Sequence, residues 1–89
     1  MMYPYMTLSD GTEIVHSQIV KDDGIDKIIV HFERPVQEGF DDARCELPGY
    51  NWSEKKGFSD EEIDFFTKLL KANAHLIYRY AKNGGVKIA

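Results

Sequence analysis

The sequence predicts an α+β fold in which a four-stranded antiparallel sheet packs against one long C-terminal helix. In the first half of the chain, short alternating segments are separated by turn residues such as Asp10-Gly11, which is typical of strands joined by hairpins. Residues 59–83 instead carry apolar side chains at helical spacing. Because neither a repeat nor a linker rich in glycine, proline or serine interrupts the chain, residues 1–89 are predicted to form a single domain.

The strands are predicted from alternation of apolar and polar residues between turn signals. Their predicted ranges are 3–8, 13–21, 27–33 and 42–47. Polar connections are expected after Arg34-Pro35 and from Pro48 to Gly57. Residues 86–88 alternate in the same way and would add a short fifth strand at the C-terminus.

Alternation also predicts which side chains share a face of the sheet, because successive side chains of a strand point to opposite faces. The predicted apolar face carries Val15, Ile19, Ile28, Val30, Phe32, Ala43, Cys45 and Leu47. The predicted polar face carries His16, Gln18, His31, Glu33, Arg44 and Glu46. We expect the helix to cover the apolar face.

The helix has start and stop signals in the sequence. Ser59 followed three residues later by Glu62 predicts a capping box, and Phe58 with Ile63 predicts a hydrophobic staple. Gly84-Gly85 predicts the end of the helix. About 24 helical residues would be roughly 36 Å long.

The helix is more apolar than packing on one sheet requires. One sector holds Ile63, Phe66, Leu70, Ala74, Ile77 and Ala81, and an adjoining sector holds Phe65, Leu69, Ala72, Leu76 and Tyr80. Together they span roughly 200°, against about 100° for a helix on a single sheet. The second sector could be covered by loop 48–57, by tail 86–89 or by the same helix of another subunit. Because the loop and the tail are short, we expect a homodimer.

Composition limits the classes of function. The 89 residues carry a net charge of -4, which argues against nucleic acid or an anionic membrane as the default partner. The longest apolar runs fall far short of a membrane span, and the N-terminus does not resemble a signal peptide. The single cysteine, Cys45, excludes an intrachain disulfide and a multi-cysteine zinc cluster. We therefore expect a cytoplasmic protein.

A candidate metal site is predicted on the polar face of the sheet. Simple hairpin registers would place His16, His31 and Glu46 in one row with Tyr5. Two imidazoles and a carboxylate could bind zinc, or a histidine beside the carboxylate could act as a general base. The preferred alternative is an ordinary solvated sheet face, in which case no cofactor is expected.

A second candidate site is a basic face of the helix. Five residues lie within about 80° of one another on a helical projection, namely Lys68, Lys71, His75, Arg79 and Lys82. They could contact phosphates of a nucleic acid or an acidic partner. Alternatively, bases late in a helix and acids early in it are what the helix dipole favours in any helix.

The third candidate site is a protein-interaction surface made of the second apolar sector and the aromatic loop before the helix. Asn73, a polar residue within the apolar arc, could fix the register of a helix pair or bond to a neighbouring loop. The aromatic residues beside glycines could line an interface or close the core. The candidate residues are Tyr50, Trp52, Phe65, Leu69, Asn73, Leu76 and Tyr80.

Three segments, IVHFERP at 29–35, ARCELP at 43–48 and NAHLIYRYA at 73–81, resemble small bacterial proteins of unknown function that pair a short antiparallel sheet with a long C-terminal helix. Such proteins often accompany plasmids, transposons or toxin-antitoxin-like genes. The resemblance implies an accessory or regulatory protein rather than an enzyme. We therefore expect a protein-interaction or regulatory module that binds itself or another protein, with a small metal-binding or hydrolytic protein and a nucleic-acid-binding protein as alternatives.

Overall fold

A computed structural model, which describes residues 2–84, shows an antiparallel sheet followed by one long helix. The elements are β1 (Met2–Thr7), β2 (Glu13–Ser17), β3 (Val20–Asp22), β4 (Ile25–Val36), β5 (Gly39–Leu47), β6 (Asn51–Lys56) and α1 (Asp60–Lys82). The strand order is β1-β2-β4-β5-β6, and β3 pairs with the beginning of β4. The α+β prediction is confirmed, although the sheet has six strands rather than four. The predicted fifth strand at 86–88 lies outside the described residues.

The predicted strand 13–21 is divided into β2 and β3. Both segments pair with the same edge of β4, β2 with residues 30–33 and β3 with residues 25–27. Between them the ladder is interrupted, and the hydroxyl of Ser17 accepts a 3.0 Å hydrogen bond from the backbone N–H of Ile29. The side chain therefore satisfies a backbone donor where strand pairing stops.

The interruption explains why the predicted faces of β2 were wrong. Ile14 and His16 are buried, whereas Val15 is only half-buried. Ile14 and Val15 are both apolar, so alternation alone does not choose between them. The predicted apolar face groups Val15 with Ile19, which does pack against the core but lies beyond the break and does not share the alternation of β2.

The two segments that were predicted to be polar connections are largely β-strand in the structure. The segment after Arg34-Pro35 continues β4 to Val36, and β5 begins at Gly39, leaving a two-residue turn. The predicted loop 48–57 contains β6, which pairs with β5 so that Trp52 lies opposite Cys45. Trp52 therefore shares the core face of the sheet.

The core lies between one face of the sheet and α1. Its sheet residues confirm the predicted apolar face of β4 and β5, and its helix residues belong to the first predicted sector. The buried apolar residues are Ile14, Ile28, Val30, Phe32, Ala43, Cys45, Leu47, Phe58, Ile63, Phe66, Leu70, Ile77 and Ala81. At its centre the ring of Phe66 stacks on Phe32 with centroids 4.3 Å apart.

The predicted capping box forms at the start of α1. The Ser59 hydroxyl accepts a bond from the N–H of Glu62, and the Glu62 carboxylate accepts one from the N–H of Ser59. Within residues 2–84, α1 does not have the combination of length and apolarity that would let a helix cross a bilayer.

Arg34 ties the start of α1 to the sheet. Its guanidinium donates to Asp41 at 2.7 Å and to Glu62 at 2.5 Å, and it lies over the ring of Phe58 at 4.6 Å. The backbone carbonyl of Gly57 accepts a further bond from it. At Gly57, φ is +85°, and a Cβ there would overlap the Asp41 carboxylate, so this approach requires glycine.

Candidate protein-interaction surface

Strand β1 covers one flank of α1. The Tyr5 hydroxyl donates a 2.6 Å hydrogen bond to Oδ1 of Asn73, and the Tyr5 and Tyr80 rings lie 6.0 Å apart. The Asn73 amide also donates to the carbonyl of Leu69 at 2.8 Å. Asn73 is therefore satisfied within the chain and needs no second helix. Burial, followed by the effect of Tyr80, raises the pKa of Tyr5.

The aromatic residues before the helix cover the opposite flank. The indole N–H of Trp52 donates to the Thr67 hydroxyl at 3.1 Å, and its ring lies 5.5 Å from that of Phe32. The ammonium of Lys71 lies 5.5 Å from the centre of the Tyr50 ring. Tyr50 and Trp52 thus close the edge of the core, apart from the rest of the predicted interaction residues.

Between the flank covered by β1 and the basic face, α1 presents an apolar row that we call the exposed stripe: Phe65, Leu69, Ala72 and Leu76. Phe65 is 54% exposed, Ala72 is exposed, and the two leucines are half-buried. The residues are four, three and four positions apart, the spacing of a coiled-coil seam. At 1.5 Å per residue the stripe is roughly 16 Å long.

A groove of about 380 Å³ opens at the N-terminal end of the stripe, between the β1–β2 turn and the first turns of α1. We call it the acidic groove. Its apolar part is formed by Leu8, Phe65 and Phe66. The carboxylates of Asp10, Glu61 and Glu62 also line it. The complete lining is Leu8, Ser9, Asp10, Ser59, Glu61, Glu62, Phe65 and Phe66.

Hydrogen bonds and a nearby arginine stabilise the ionised form of two carboxylates of the groove, those of Asp10 and Glu62. A hydrogen bond from Thr12, followed by the effect of Arg34, lowers the pKa of Asp10. The backbone N–H of Ser59, followed by Arg34, lowers the pKa of Glu62. Within residues 2–84 Arg34 pairs with both of these carboxylates, whereas Glu61 forms no ion pair. The rim of the groove therefore carries net negative charge at neutral pH.

The five predicted basic residues lie together on the exposed side of α1, as the helical projection predicts. They are Lys68, Lys71, His75, Arg79 and Lys82, and all five are exposed. Lys68 pairs with Asp64 one turn earlier at 3.1 Å. This face is therefore mixed in charge towards its N-terminal end and basic towards its C-terminal end.

The predicted row of His16, His31 and Glu46 does not form. His16 pairs with Val30 and is fully buried on the core face, whereas His31 pairs with Arg44 and Val15 on the opposite face. Because neighbouring residues of a strand point to opposite faces, the two imidazoles lie on opposite sides of the sheet.

Each member of the predicted row has other neighbours. His16 Nδ1 lies 2.8 Å from the carbonyl of Ser17, and the carboxylate of Glu46 lies 3.5 Å from the ammonium of Lys27. Burial, followed by Arg44, lowers the pKa of His31. In the part of the chain from Met2 to Gly84, no three potential ligands are arranged to bind a metal.

The acidic groove is not evident from the sequence, where Asp10 indicates only a turn and Glu62 only a helix cap. Both are drawn together by Arg34, which is 24 residues from Asp10 and 28 from Glu62 along the chain. The acidic residues at 60–62 close to the apolar Phe65 are the part of the groove that the sequence shows. The contact of these residues with the β1–β2 turn is tertiary, so no local pattern in the sequence predicts it.

Comparison with protein-family models, with curated proteins and with solved structures finds no match for this chain.

Proposed function

We propose that this protein is a non-enzymatic interaction module that associates with a second copy of itself through the exposed stripe of α1. The observation that carries the proposal is the contrast between two adjacent residues. Phe66 is 3% exposed in the core, whereas Phe65 is 54% exposed on the apolar row between the flank that β1 covers and the basic face. Phe65 is the first residue of the exposed stripe, whose apolar side chains are spaced as in a coiled-coil seam. This spacing supports a helix as the partner.

The size of the stripe sets the expected affinity. Burying one large apolar side chain fully stabilises a contact by about 1.5 to 3 kcal/mol, and part of this is offset by lost motional freedom on association. Two copies of a four-residue seam therefore support a dissociation constant in roughly the micromolar range. The association would be regulated by protein concentration rather than permanent.

The other functions expected from the sequence have less support. The metal-binding or hydrolytic alternative depends on a row of His16, His31 and Glu46, but His16 lies on the face of the sheet opposite His31. For nucleic acid, the exposed basic face is opposed by the net charge of -4 and by the pairing of Lys68 with Asp64.

Sedimentation equilibrium between about 0.1 and 100 µM tests the proposal, since this range brackets a micromolar dissociation constant. We expect the average mass to rise from monomer towards dimer. Phe65→Ser combined with Leu76→Ser should keep the protein monomeric while its circular dichroism is unchanged. Phe40→Ser is the matched control, because Phe40 is 59% exposed and the alternation of β5 places it on the face of the sheet opposite α1. A wild-type monomer over the whole range would overturn the proposal.

A further inference from the structure

We infer that the two copies pair with their helices antiparallel, so that the C-terminal half of each α1 fills the acidic groove of the other. The inference rests on the proposed self-association through the exposed stripe and adds its orientation and register. A second copy is the expected occupant of each groove because the two halves of α1 are complementary in both shape and charge.

The spacing of the stripe is symmetric, which favours an antiparallel pair. Its steps of four, three and four residues read the same in both directions about a centre between Leu69 and Ala72. A two-fold axis at that centre therefore places Phe65 against Leu76 of the second copy, and Leu69 against Ala72. Such an interface uses the same surface twice and closes as a dimer.

The side chains at the centre and the ends suit this arrangement. Ala72 is exposed and small, so two helices can approach closely at the axis, at an interaxial distance of about 8 Å. The largest side chain of the stripe, Phe65, then packs on Leu76 at each end. In a parallel pair, each residue would instead meet its own equivalent.

The opposite charges at the two ends of α1 also favour an antiparallel pair. Acidic residues occupy the first turn of α1, and Arg79 and Lys82 occupy its last turn. Glu61 and Arg79 are 18 residues apart, which is five helical turns, so they lie on the same side of α1 beside the stripe. An antiparallel pair brings Glu61 of one copy to Arg79 of the other at both ends. A parallel pair would place like charges together.

The position of the acidic groove favours the same antiparallel register. Phe65 belongs to both the stripe and the groove, so Leu76 of the second copy would enter the apolar part of the groove. Arg79, three residues later on the same face, would then reach the rim at Glu61. The groove therefore matches a leucine followed one turn later by an arginine, which α1 itself supplies.

Cysteine cross-linking distinguishes the two orientations in a Cys45→Ala background. A mixture of Phe65→Cys and Leu76→Cys proteins should form a disulfide-linked dimer on mild oxidation. Each variant alone should not, because its two thiols would be roughly 16 Å apart or more. Cross-linking of Phe65→Cys with itself, and not with Leu76→Cys, would overturn the antiparallel register but leave self-association standing.

Charge reversal tests the same register without cysteine chemistry. Glu61→Arg and Arg79→Glu should each weaken dimerisation by roughly three- to ten-fold, and the double variant should restore it because the exchanged charges meet again. Glu38→Arg, at the tip of the β4–β5 hairpin, is the matched control and should have no effect. Additive weakening in the double variant would contradict the contact. A wild-type protein that stays monomeric would instead contradict the proposed self-association itself.

Discussion

The hydroxyl of Tyr5 donates a 2.6 Å hydrogen bond to Oδ1 of Asn73, joining the edge strand of the sheet to the middle of α1 across 68 residues of chain. It accounts for the one polar residue in the apolar arc of the helix. The same bond holds β1 over one flank of α1. The exposed stripe, which includes Phe65 and Ala72, lies next to this flank and is not covered by β1. The bond thereby sets the boundary between the core and the exposed stripe.

Replacing Tyr5 with phenylalanine should lower the free energy of unfolding by about 1 kcal/mol, because Oδ1 of half-buried Asn73 loses its donor. Urea denaturation followed by circular dichroism measures the change. Tyr3→Phe is the matched control on the same strand, since the Tyr3 hydroxyl makes no hydrogen bond with the described side chains of residues 2–84. Equal effects of the two substitutions would argue against the bond.

The two adjacent phenylalanines of α1 should respond very differently to truncation. Phe66→Ala should lower the free energy of unfolding by about 3 to 5 kcal/mol, because it leaves a cavity among Phe32, Phe58 and Trp52. Phe65→Ala should change the stability of dilute, monomeric protein by less than about 0.5 kcal/mol. Guanidinium denaturation at low protein concentration compares them, and a large loss with Phe65→Ala would show that this residue belongs to the core.

Acid should weaken the tie between Arg34 and the start of α1. Because the pKa of Glu62 is lowered in the folded state, its contribution is fully present above about pH 4.5 and is lost as the pH falls through the folded pKa. Glu62→Gln should lower stability at pH 7 by roughly 0.5 kcal/mol and reduce the loss of stability below about pH 4.5. Thermal denaturation at a series of pH values measures both.

The control for this acid effect is Glu61→Gln. It removes a carboxylate from the same turn, but Glu61 forms no ion pair among the described residues. Glutamine at position 62 can still accept the capping bond from Ser59, so the comparison isolates the charge. If both variants flatten the pH dependence equally, the ion pair with Arg34 is not its origin.

Cys45 should be unreactive in the folded protein. Burial, followed by Glu46, raises its pKa to about 12, so very little thiolate forms at pH 8. An aromatic disulfide reagent should modify it roughly a hundred-fold or more slowly than in urea-unfolded protein. Rapid modification under native conditions would show that β5 opens readily or that the thiol is accessible.

The helix and the central strands were predictable because their signals are local. The Ser59 and Glu62 pair, the apolar residues of β4 and the alternation of β5 each depend on a few neighbouring residues, and the structure confirms them. The excess apolar surface of α1 was also evident from the sequence, and Phe65 does remain exposed.

The features that were wrong or missed depend on contacts between distant segments. The side of β2 that faces the core was ambiguous because Ile14 and Val15 are both apolar. The pairing of β6 with β5 places Trp52 on the core face although NWSEKK is mostly polar. The bond between Tyr5 and Asn73 joins residues 68 positions apart, and the register shift in β1 between Pro4 and Met6 is not indicated by any local pattern.

The most direct test of the proposed association is a nuclear Overhauser measurement between the ring protons of Phe65 and the methyl protons of Leu76. Within one helix these residues are 11 positions, or roughly 16 Å, apart, so a cross-peak can only arise between two copies. We expect the cross-peak at high protein concentration and its loss on dilution. Its absence at concentrations where the mass is dimeric, or intermolecular cross-peaks from Phe40 instead, would contradict the account.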